Sequence, residues 1–256
     1  MYRDPILGGI IVIKTLLGCV SLDANKRYTS KHKLFEYITR KLGYRLYNHS
    51  LYWHEDADFL SMWSKFVDGI GRKTIQERRF TLYSFAKSVA NIKGDTVECG
   101  VFRGGSSHII MSASQSFHHI FDSFEGLSAP TNIDKPLLKH GYEWQESDLS
   151  VAEEIVSNNL HGFKDQFKMY KGWIPDRFED VSENTFKLVH IDVDLYDPTK
   201  DALKFFSQRM VPGGMIVCDD YGSTICPGAK IAFDEIAQEL NKRTISLTTG
   251  QGLLLF

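Results

Sequence analysis

Four aspartates follow two predicted strands and could perform acid–base or metal chemistry. In the segment HIDVD, strand alternation places His190, Asp192 and Asp194 on one side. The next predicted strand ends in Asp219-Asp220, and the carboxyl ends of neighbouring parallel strands meet at one edge of a sheet. Crowded carboxylates raise one another's pKa values and cost stability unless a cation compensates them. Mg²⁺ prefers oxygen ligands, so the spacing predicts a magnesium site; solvated loop ends would explain one aspartate but not four.

A glycine-rich turn and a later acid could bind a nucleoside. The segment ECGVFRGGSS (98–107) follows a predicted strand, and its glycines would let a ligand approach the start of the next helix. It matches neither the dinucleotide fingerprint nor a phosphate-binding P-loop. Asp122 ends the following strand, where an acid suits a ribose diol. The alternatives are a plain connecting turn and an aspartate that caps the turn at Ser123.

The composition favours a globular protein that acts on a small molecule. The 256 residues include 30 basic and 32 acidic side chains, so the chain lacks the positive charge expected of a nucleic-acid binder. The apolar stretch 6–22 is interrupted by Lys14 and fits neither a signal peptide nor a spanning helix. We therefore expect a cytoplasmic protein without stable membrane insertion. The stretch is interpreted as a buried or subunit-contacting segment, which predicts a homo-oligomer, namely a dimer.

The cysteines are interpreted as small buried apolar residues. They lie far apart and form no C-x-x-C pair for zinc or redox chemistry, which agrees with a reducing cytoplasm. They are Cys19, Cys99, Cys218 and Cys226.

Hydrophobic periodicity divides the chain near residue 93. Before it, apolar residues recur at helical spacing, and after it predicted strands and helices alternate. The predicted helices are 31–42, 58–69, 76–90, 106–115, 151–159 and 229–241, with a further helix start at Asp197-Pro198, where Asp197 caps and Pro198 occupies the first turn. The predicted strands are 96–99, 119–122, 167–170, 187–191, 214–218, 244–248 and 253–256.

This alternation predicts an α/β fold with a Rossmann-like, doubly wound and mostly parallel sheet. A hairpin at Gly250-Gln251-Gly252 adds an antiparallel strand near the carboxyl end. We assign residues 1–92 to a helical amino-terminal cap and residues 93–256 to the core domain.

Five motifs give the chain a specific resemblance. They resemble motifs of the macrocin O-methyltransferase family, which acts on sugars of macrolide and aminocoumarin antibiotics. The matches run in order from about residue 70 to the end, and residues 1–70 carry no motif that matches closely. The motifs are VECGVFRGGSS (97–107), FDSFEGL (121–127), KGW (171–173), HIDVDLY (190–196) and VCDDY (217–221).

The resemblance implies the class I methyltransferase fold with S-adenosylmethionine over the first two strand ends of the core. The glycine-rich turn would approach the methionine part, Asp122 would hold the ribose, and Trp173 would border the adenine. Arg103 would pair with the methionine carboxylate, or is an exposed structural arginine. The implied cofactor residues are Glu98, Gly100, Arg103, Gly104, Gly105, Ser106, Asp122, Ser123 and Trp173.

The resemblance also implies roles for the acids. Asp192, Asp219 and Asp220 would be Mg²⁺ ligands, and Asp194 would be a general base. His140, in a segment over the site, is the alternative base. The implied activity is metal-dependent O-methylation of a sugar in a glycan or glycosylated metabolite.

Two other functions stay open on the sequence alone. A catechol-type O-methyltransferase would share the fold, the cofactor and the metal but act on an aromatic diol. A non-catalytic S-adenosylmethionine-binding protein would keep the fold only, but a complete set of acids would then cost stability without a purpose. An NAD-linked oxidoreductase is disfavoured because the dinucleotide glycine pattern is missing.

Overall fold

The computed structural model describes residues 16, 19–41, 56–66, 76–136 and 143–256. The chain forms two compact units, Met1–Ala57 and Asp58–Phe256. The assignment of residues 1–92 to a helical cap stays a prediction, and its boundary at residue 92 does not coincide with the boundary between these two units. In the described parts, none of the helices combines the length and the apolar character needed to cross a membrane.

The first unit contains helix α1 (Ala24–Lys41). Asp23 precedes this helix and accepts a hydrogen bond from the backbone N–H of Lys26 at 3.1 Å, as an N-cap does. The sequence predicted only residues 31–42, since residues 24–30 are mostly polar and show no apolar periodicity.

A seven-stranded sheet forms the centre of the second unit. The strands are β1 (Asp95–Cys99), β2 (His118–Asp122), β3 (Phe167–Lys171), β4 (Phe186–Ile191), β5 (Met210–Cys218), β6 (Ile245–Ser246) and β7 (Gly252–Leu255). Their order in the sheet is β3-β2-β1-β4-β5-β7-β6; the first five in this order are parallel, and β7 is antiparallel to both β5 and β6. The predicted doubly wound sheet with an antiparallel carboxyl-terminal strand is confirmed.

Helices cover this sheet and bury an apolar core on both of its faces. Ile120 and Phe121 are neighbours in β2, yet they belong to separate buried clusters, because alternate side chains of a strand point to opposite faces. The helices are α2 (Ala57–Ser64), α3 (Gln76–Ser88), α4 (Gly105–Ser114), α5 (Glu153–Asn159), α6 (Tyr196–Ser207) and α7 (Pro227–Glu239).

The start of α6 differs from the sequence prediction. Asp197 does not cap the helix: the helix begins at Tyr196, and Leu195 stands at the N-cap without a side-chain bond. The Tyr196 N–H donates instead to Asp134 Oδ1 at 2.8 Å. The buried Asp134, from a distant turn, therefore accepts the hydrogen bond at the helix start that Asp197 was expected to accept. Pro198 lies in the first turn as predicted.

Gly100 lets the ends of β1 and β4 approach closely. The Asp192 N–H donates to the Cys99 carbonyl at 2.9 Å, which continues the pairing of the two strands beyond Ile191. Gly100 has a φ of 83°, in the left-handed region, and a Cβ added there would lie 1.9 Å from the Asp192 carbonyl oxygen. Only glycine fits this position without a shift of the strand end that carries the acids.

Replacing Gly100 with alanine should therefore reduce the free energy of unfolding by about 2–6 kcal/mol, since backbone strain and overpacking add. Gly162→Ala is the matched control, because a Cβ there meets no atom within 4 Å. Urea denaturation of both variants measures the difference. Equal stabilities for the two variants would contradict the close approach.

Candidate active site

A cavity of about 440 Å³ opens at the carboxyl ends of the parallel strands. This is the edge at which ligands bind in doubly wound sheets. Four of the predicted cofactor residues line it, together with two of the predicted acids: Gly100, Asp122, Ser123, Trp173, Asp192 and Asp194. Apolar side chains complete the wall, among them Phe102, Leu127, Trp144, Leu149 and Ile174. The cavity thus combines an apolar wall with a few acids.

Asp122 is held in place by backbone donors. Its Oδ2 accepts from the Val101 N–H and its Oδ1 from the Phe124 N–H, both at 2.7 Å. The second bond is the local turn contact that the capping alternative requires. Each carboxylate oxygen has a further lone pair, so the same side chain can also accept from a ligand hydroxyl.

The other predicted cofactor residues do not line this cavity. Gly104 has a φ of 90° and packs against Leu160, and Arg103 lies with its guanidinium carbon 5.6 Å from the centre of the Phe102 ring. Their roles toward a cofactor remain predictions. They are Glu98, Arg103, Gly104, Gly105 and Ser106.

The acids and their neighbours lie in two adjacent clusters of potential ligand atoms. His190, Asp192 and Asp219 make one group, and Asp194, Asp220 and Cys226 make the other; within each group the potential ligand atoms lie within 4.8 Å of one another. The predicted alternation fails at Asp194, whose φ of 60° takes it out of the extended conformation. The Asp194 N–H donates to Asp220 Oδ2 at 3.2 Å, which links the turn after β4 to the end of β5.

Asp219 is contacted by polar side chains from three separate segments. Arg78 in α3 places a guanidinium nitrogen 2.6 Å from its Oδ2, and the Gln251 amide donates to its Oδ1 at 2.8 Å. His190 Nε2 lies 3.5 Å from the same Oδ1. Burial by itself would raise the pKa of Asp219, but the contacts with His190, Arg78 and Gln251 lower it below the usual value.

His190 joins Glu98 to this acid edge. Its Nδ1 lies 3.0 Å from Glu98 Oε1 and its Nε2 faces Asp219, so the imidazole bridges two carboxylates. Burial opposes its charged form, yet the hydrogen bonds and charges of Asp219 and Glu98 outweigh burial and raise the His190 pKa to about 10. Glu98 is buried, and its other oxygen accepts from Ser107 Oγ. The sequence offered no signal for these partners.

Asp192 and Asp220 are less well compensated. Burial, followed by the charges of neighbouring acids, raises the pKa of each carboxyl well above its usual value. Arg78 reaches Asp220 Oδ1 only at 4.0 Å. Carboxylate oxygens that converge with too little positive charge are the donor set that a hard divalent cation prefers, so the residues present fit such an ion.

Asp194 belongs to the second acid group and also lines the cavity. The Cys226 thiol donates to its Oδ1 at 3.2 Å, and the Trp144 indole N–H donates to Cys226 Sγ at 3.4 Å. Burial raises the pKa of Asp194 to about 6, although the bond from Cys226 lowers it in part. Cys226 therefore orients an acid and is more than the buried apolar residue that the sequence predicted.

His140 lies outside the described residues, as do its neighbours 137–142. The described chain stops at Pro136, beyond the buried Asp134, and continues at Glu143. The assignment of His140 as the alternative base thus stays a prediction.

A buried polar chain continues from this site across the sheet. His118 on β2 contacts Ser107 Oγ at 3.0 Å through Nε2 and Thr96 Oγ1 at 2.8 Å through Nδ1. Ser107 in turn donates to Glu98. Burial, followed by the charges of two other histidines, lowers the His118 pKa to about 3, so this imidazole is neutral in the folded protein.

His118 should make the protein less stable in mild acid. The unfolded chain protonates a histidine below about pH 6.5, whereas folded His118 does not, so stability falls as the pH drops from 6.5 toward 3. Between pH 7 and pH 5 this contribution is about 2 kcal/mol. Urea titrations at both pH values should show a smaller loss in His118→Gln. The exposed His161 gives the control, because His161→Gln should keep the pH dependence of the original protein.

Comparison with protein families gives one match that covers most of the chain. Residues 12–245 match the family model described as Macrocin-O-methyltransferase (TylF). The matched region includes all five motifs and extends beyond them toward the amino terminus, into residues where no single motif was apparent. The family resemblance that the motifs predicted is confirmed.

Two characterised relatives are about one-third identical to this chain. One is the 8-demethyl-8-(2,3-dimethoxy-alpha-L-rhamnosyl)-tetracenomycin-C 4'-O-methyltransferase of Streptomyces olivaceus, 33% identical over 54% of this chain and 57% of the relative. The other is the demethyldecarbamoylnovobiocin O-methyltransferase of Streptomyces niveus, 31% identical over 57% of this chain and 58% of the relative. The chain thus spans less than two thirds of the length of these relatives.

Solved structures share the fold. The O-methyltransferase NovP superposes with a TM-score of 0.54 and 25% identity, over 70% of this chain and 79% of its own. The calicheamicin methyltransferase CalS11 superposes with a TM-score of 0.60 and 15% identity, over 100% of this chain and 95% of its own. The sheet described above is therefore the class I methyltransferase fold.

Proposed function

Because the chain belongs to the macrocin O-methyltransferase family, we propose that it transfers a methyl group from S-adenosylmethionine to a sugar hydroxyl with the help of a divalent cation. The observation that carries the proposal is the convergence of four aspartates beside the cavity at the carboxyl edge of the sheet. The cavity suits a methyl donor. The acids suit the binding of a cation, and one of them can accept a proton.

The cavity has the features of a nucleoside site. Trp173 and Phe102 offer aromatic surface for the adenine, and Asp122 offers a fixed carboxylate for the ribose hydroxyls. When bound, S-adenosylmethionine supplies a sulfonium methyl group that an oxygen nucleophile can displace. Gly100 and Asp192 line the cavity side by side, so the donor would lie against both strand ends.

Asp192, Asp219 and Asp220 would hold the cation. These three acids come from adjacent strand ends, and two of them have pKa values raised by burial among like charges. A bound divalent cation would supply Lewis acidity, which makes a hydroxyl easier to deprotonate. Gln251 and His190 would keep the Asp219 carboxylate in place.

Asp194 would accept the proton of the acceptor hydroxyl. It lines the cavity, is mostly buried, and is oriented by Cys226. Transfer of a methyl group to an alcohol releases one proton, so the site needs a base within reach of the acceptor oxygen. A sugar as the acceptor is supported by the name of the tetracenomycin relative, which acts on a rhamnosyl compound.

The proposed activity can be tested by incubating the protein with S-adenosylmethionine, Mg²⁺ and a panel of deoxysugar glycosides and nucleotide sugars. Mass spectrometry should find a product heavier by one methylene group, together with S-adenosylhomocysteine. Excess chelator should abolish turnover and added Mg²⁺ should restore it, because the acids need a cation to offset their charge. A catechol panel run in parallel distinguishes the acceptor class, and full activity in chelator would rule out the metal.

The role of Asp194 predicts a specific pattern of losses. Asp194→Asn should lower kcat about 10²–10⁴-fold, the usual contribution of a positioned base, and leave the affinity for S-adenosylmethionine nearly unchanged. Mg²⁺ binding should weaken by no more than about tenfold, the effect of losing one nearby charge. The exposed Asp165 provides a control, since Asp165→Asn should retain full activity. A large loss of Mg²⁺ affinity in Asp194→Asn, measured by calorimetry, would instead assign Asp194 to the cation site.

A further inference from the structure

Arg78 is the arginine that meets the acid groups among the described residues. It is the third residue of α3, and its guanidinium lies 2.6 Å from Asp219 Oδ2 and 4.0 Å from Asp220 Oδ1. It also donates to the Asp219 backbone carbonyl. One side chain thus contacts the end of β5 through a carboxylate and through the main chain.

Arg78 contacts two of the carboxylates that are assigned to the cation. Its charge is permanent, because a guanidinium stays protonated at any pH that a folded protein tolerates. The Oδ1 atom of Asp219 accepts a hydrogen bond from the Gln251 amide and faces His190, while Arg78 contacts the other carboxylate oxygen, Oδ2. A divalent cation bound by Asp219 and Asp220 would share these oxygens with a fixed positive charge.

We propose that Arg78 is a resident counter-charge: it holds the acid edge together without a divalent cation and lowers the affinity of the site for one. The inference rests on the proposed cation site and goes beyond it, because it assigns the control of affinity to a residue outside the ligand set. Arg78 does not touch the reacting atoms and is a positioning residue.

The two consequences of removing this charge have opposite signs. Without Arg78, the acids repel one another with less compensation, so the cation-free protein loses stability. A divalent cation then has more repulsion to relieve and no positive neighbour to oppose it, so it binds more tightly. If Arg78 served only to pack α3, its removal would reduce stability without tightening cation binding.

The experiment compares Arg78→Met with Arg79→Met, a change at the adjacent residue of α3. Arg79 lies over the Trp63 ring at 4.1 Å and so tests helix packing apart from the acids. Calorimetry gives the Mg²⁺ dissociation constant, and thermal unfolding is followed with chelator and with Mg²⁺. Arg78→Met should unfold at a lower temperature in chelator, bind Mg²⁺ on the order of tenfold more tightly, and gain more in unfolding temperature from Mg²⁺ than the original protein.

Arg78→Gln keeps an amide that can donate to the Asp219 carbonyl but carries no charge. It should also bind Mg²⁺ more tightly, and it replaces Arg78→Met if that variant does not fold in chelator. Arg79→Met should leave the Mg²⁺ dissociation constant unchanged. Unchanged or weaker Mg²⁺ binding in both Arg78 variants, with normal binding in the original protein, overturns this inference alone. If neither the original protein nor any variant binds Mg²⁺, the proposed cation site fails as well.

Discussion

The repulsion among carboxylates at the ends of β4 and β5 is the constraint on which the rest of this site depends. Parallel pairing of the two strands brings Asp192 and Asp219 to one edge, and Asp194 and Asp220, further along the same two turns, add two more acids. Like charges at this distance disfavour the folded state unless donors or cations offset them. The chain supplies Arg78 from a helix, His190 from the strand itself and Gln251 from the final hairpin. The acid edge is therefore assembled by most of the second unit.

The same constraint links the cavity to the acids. Gly100 permits β1 to approach the end of β4, and this approach fixes where Asp192 stands relative to the cavity wall. Behind the edge, a buried chain of polar side chains runs through Glu98 to His118 on β2. Such a chain stabilises the fold only when each member is satisfied, because an unpaired buried polar group costs more than a paired one contributes. The site and the centre of the sheet thus share one set of hydrogen bonds.

The fold by itself does not identify the acceptor, because the doubly wound sheet supports many reactions. The aspartates at the strand ends indicate which kind of nucleophile accepts the methyl group. An alcohol oxygen is a poor nucleophile while it keeps its proton, so transfer to oxygen gains from a base that accepts this proton and from nearby positive charge that makes the proton easier to remove. In the proposed function, the donor would occupy the cavity beside Asp194 as the base and beside acids that would hold a cation, an arrangement suited to transfer to oxygen. The family match and the geometry therefore point to the same reaction class.

The sequence by itself determined the succession of strands and helices along the chain, the class of fold and the acids at the strand ends. It could do so because hydrophobic alternation and strand-end motifs are local patterns. It could not determine the partners of those acids. Arg78 meets the Asp219 carbonyl across 141 positions of the chain, Cys226 meets Asp194 across 32, and Asp134 binds the start of α6 across 62. Such contacts depend on how helices and loops pack against the sheet, and packing is decided by the whole of the core rather than by any short segment.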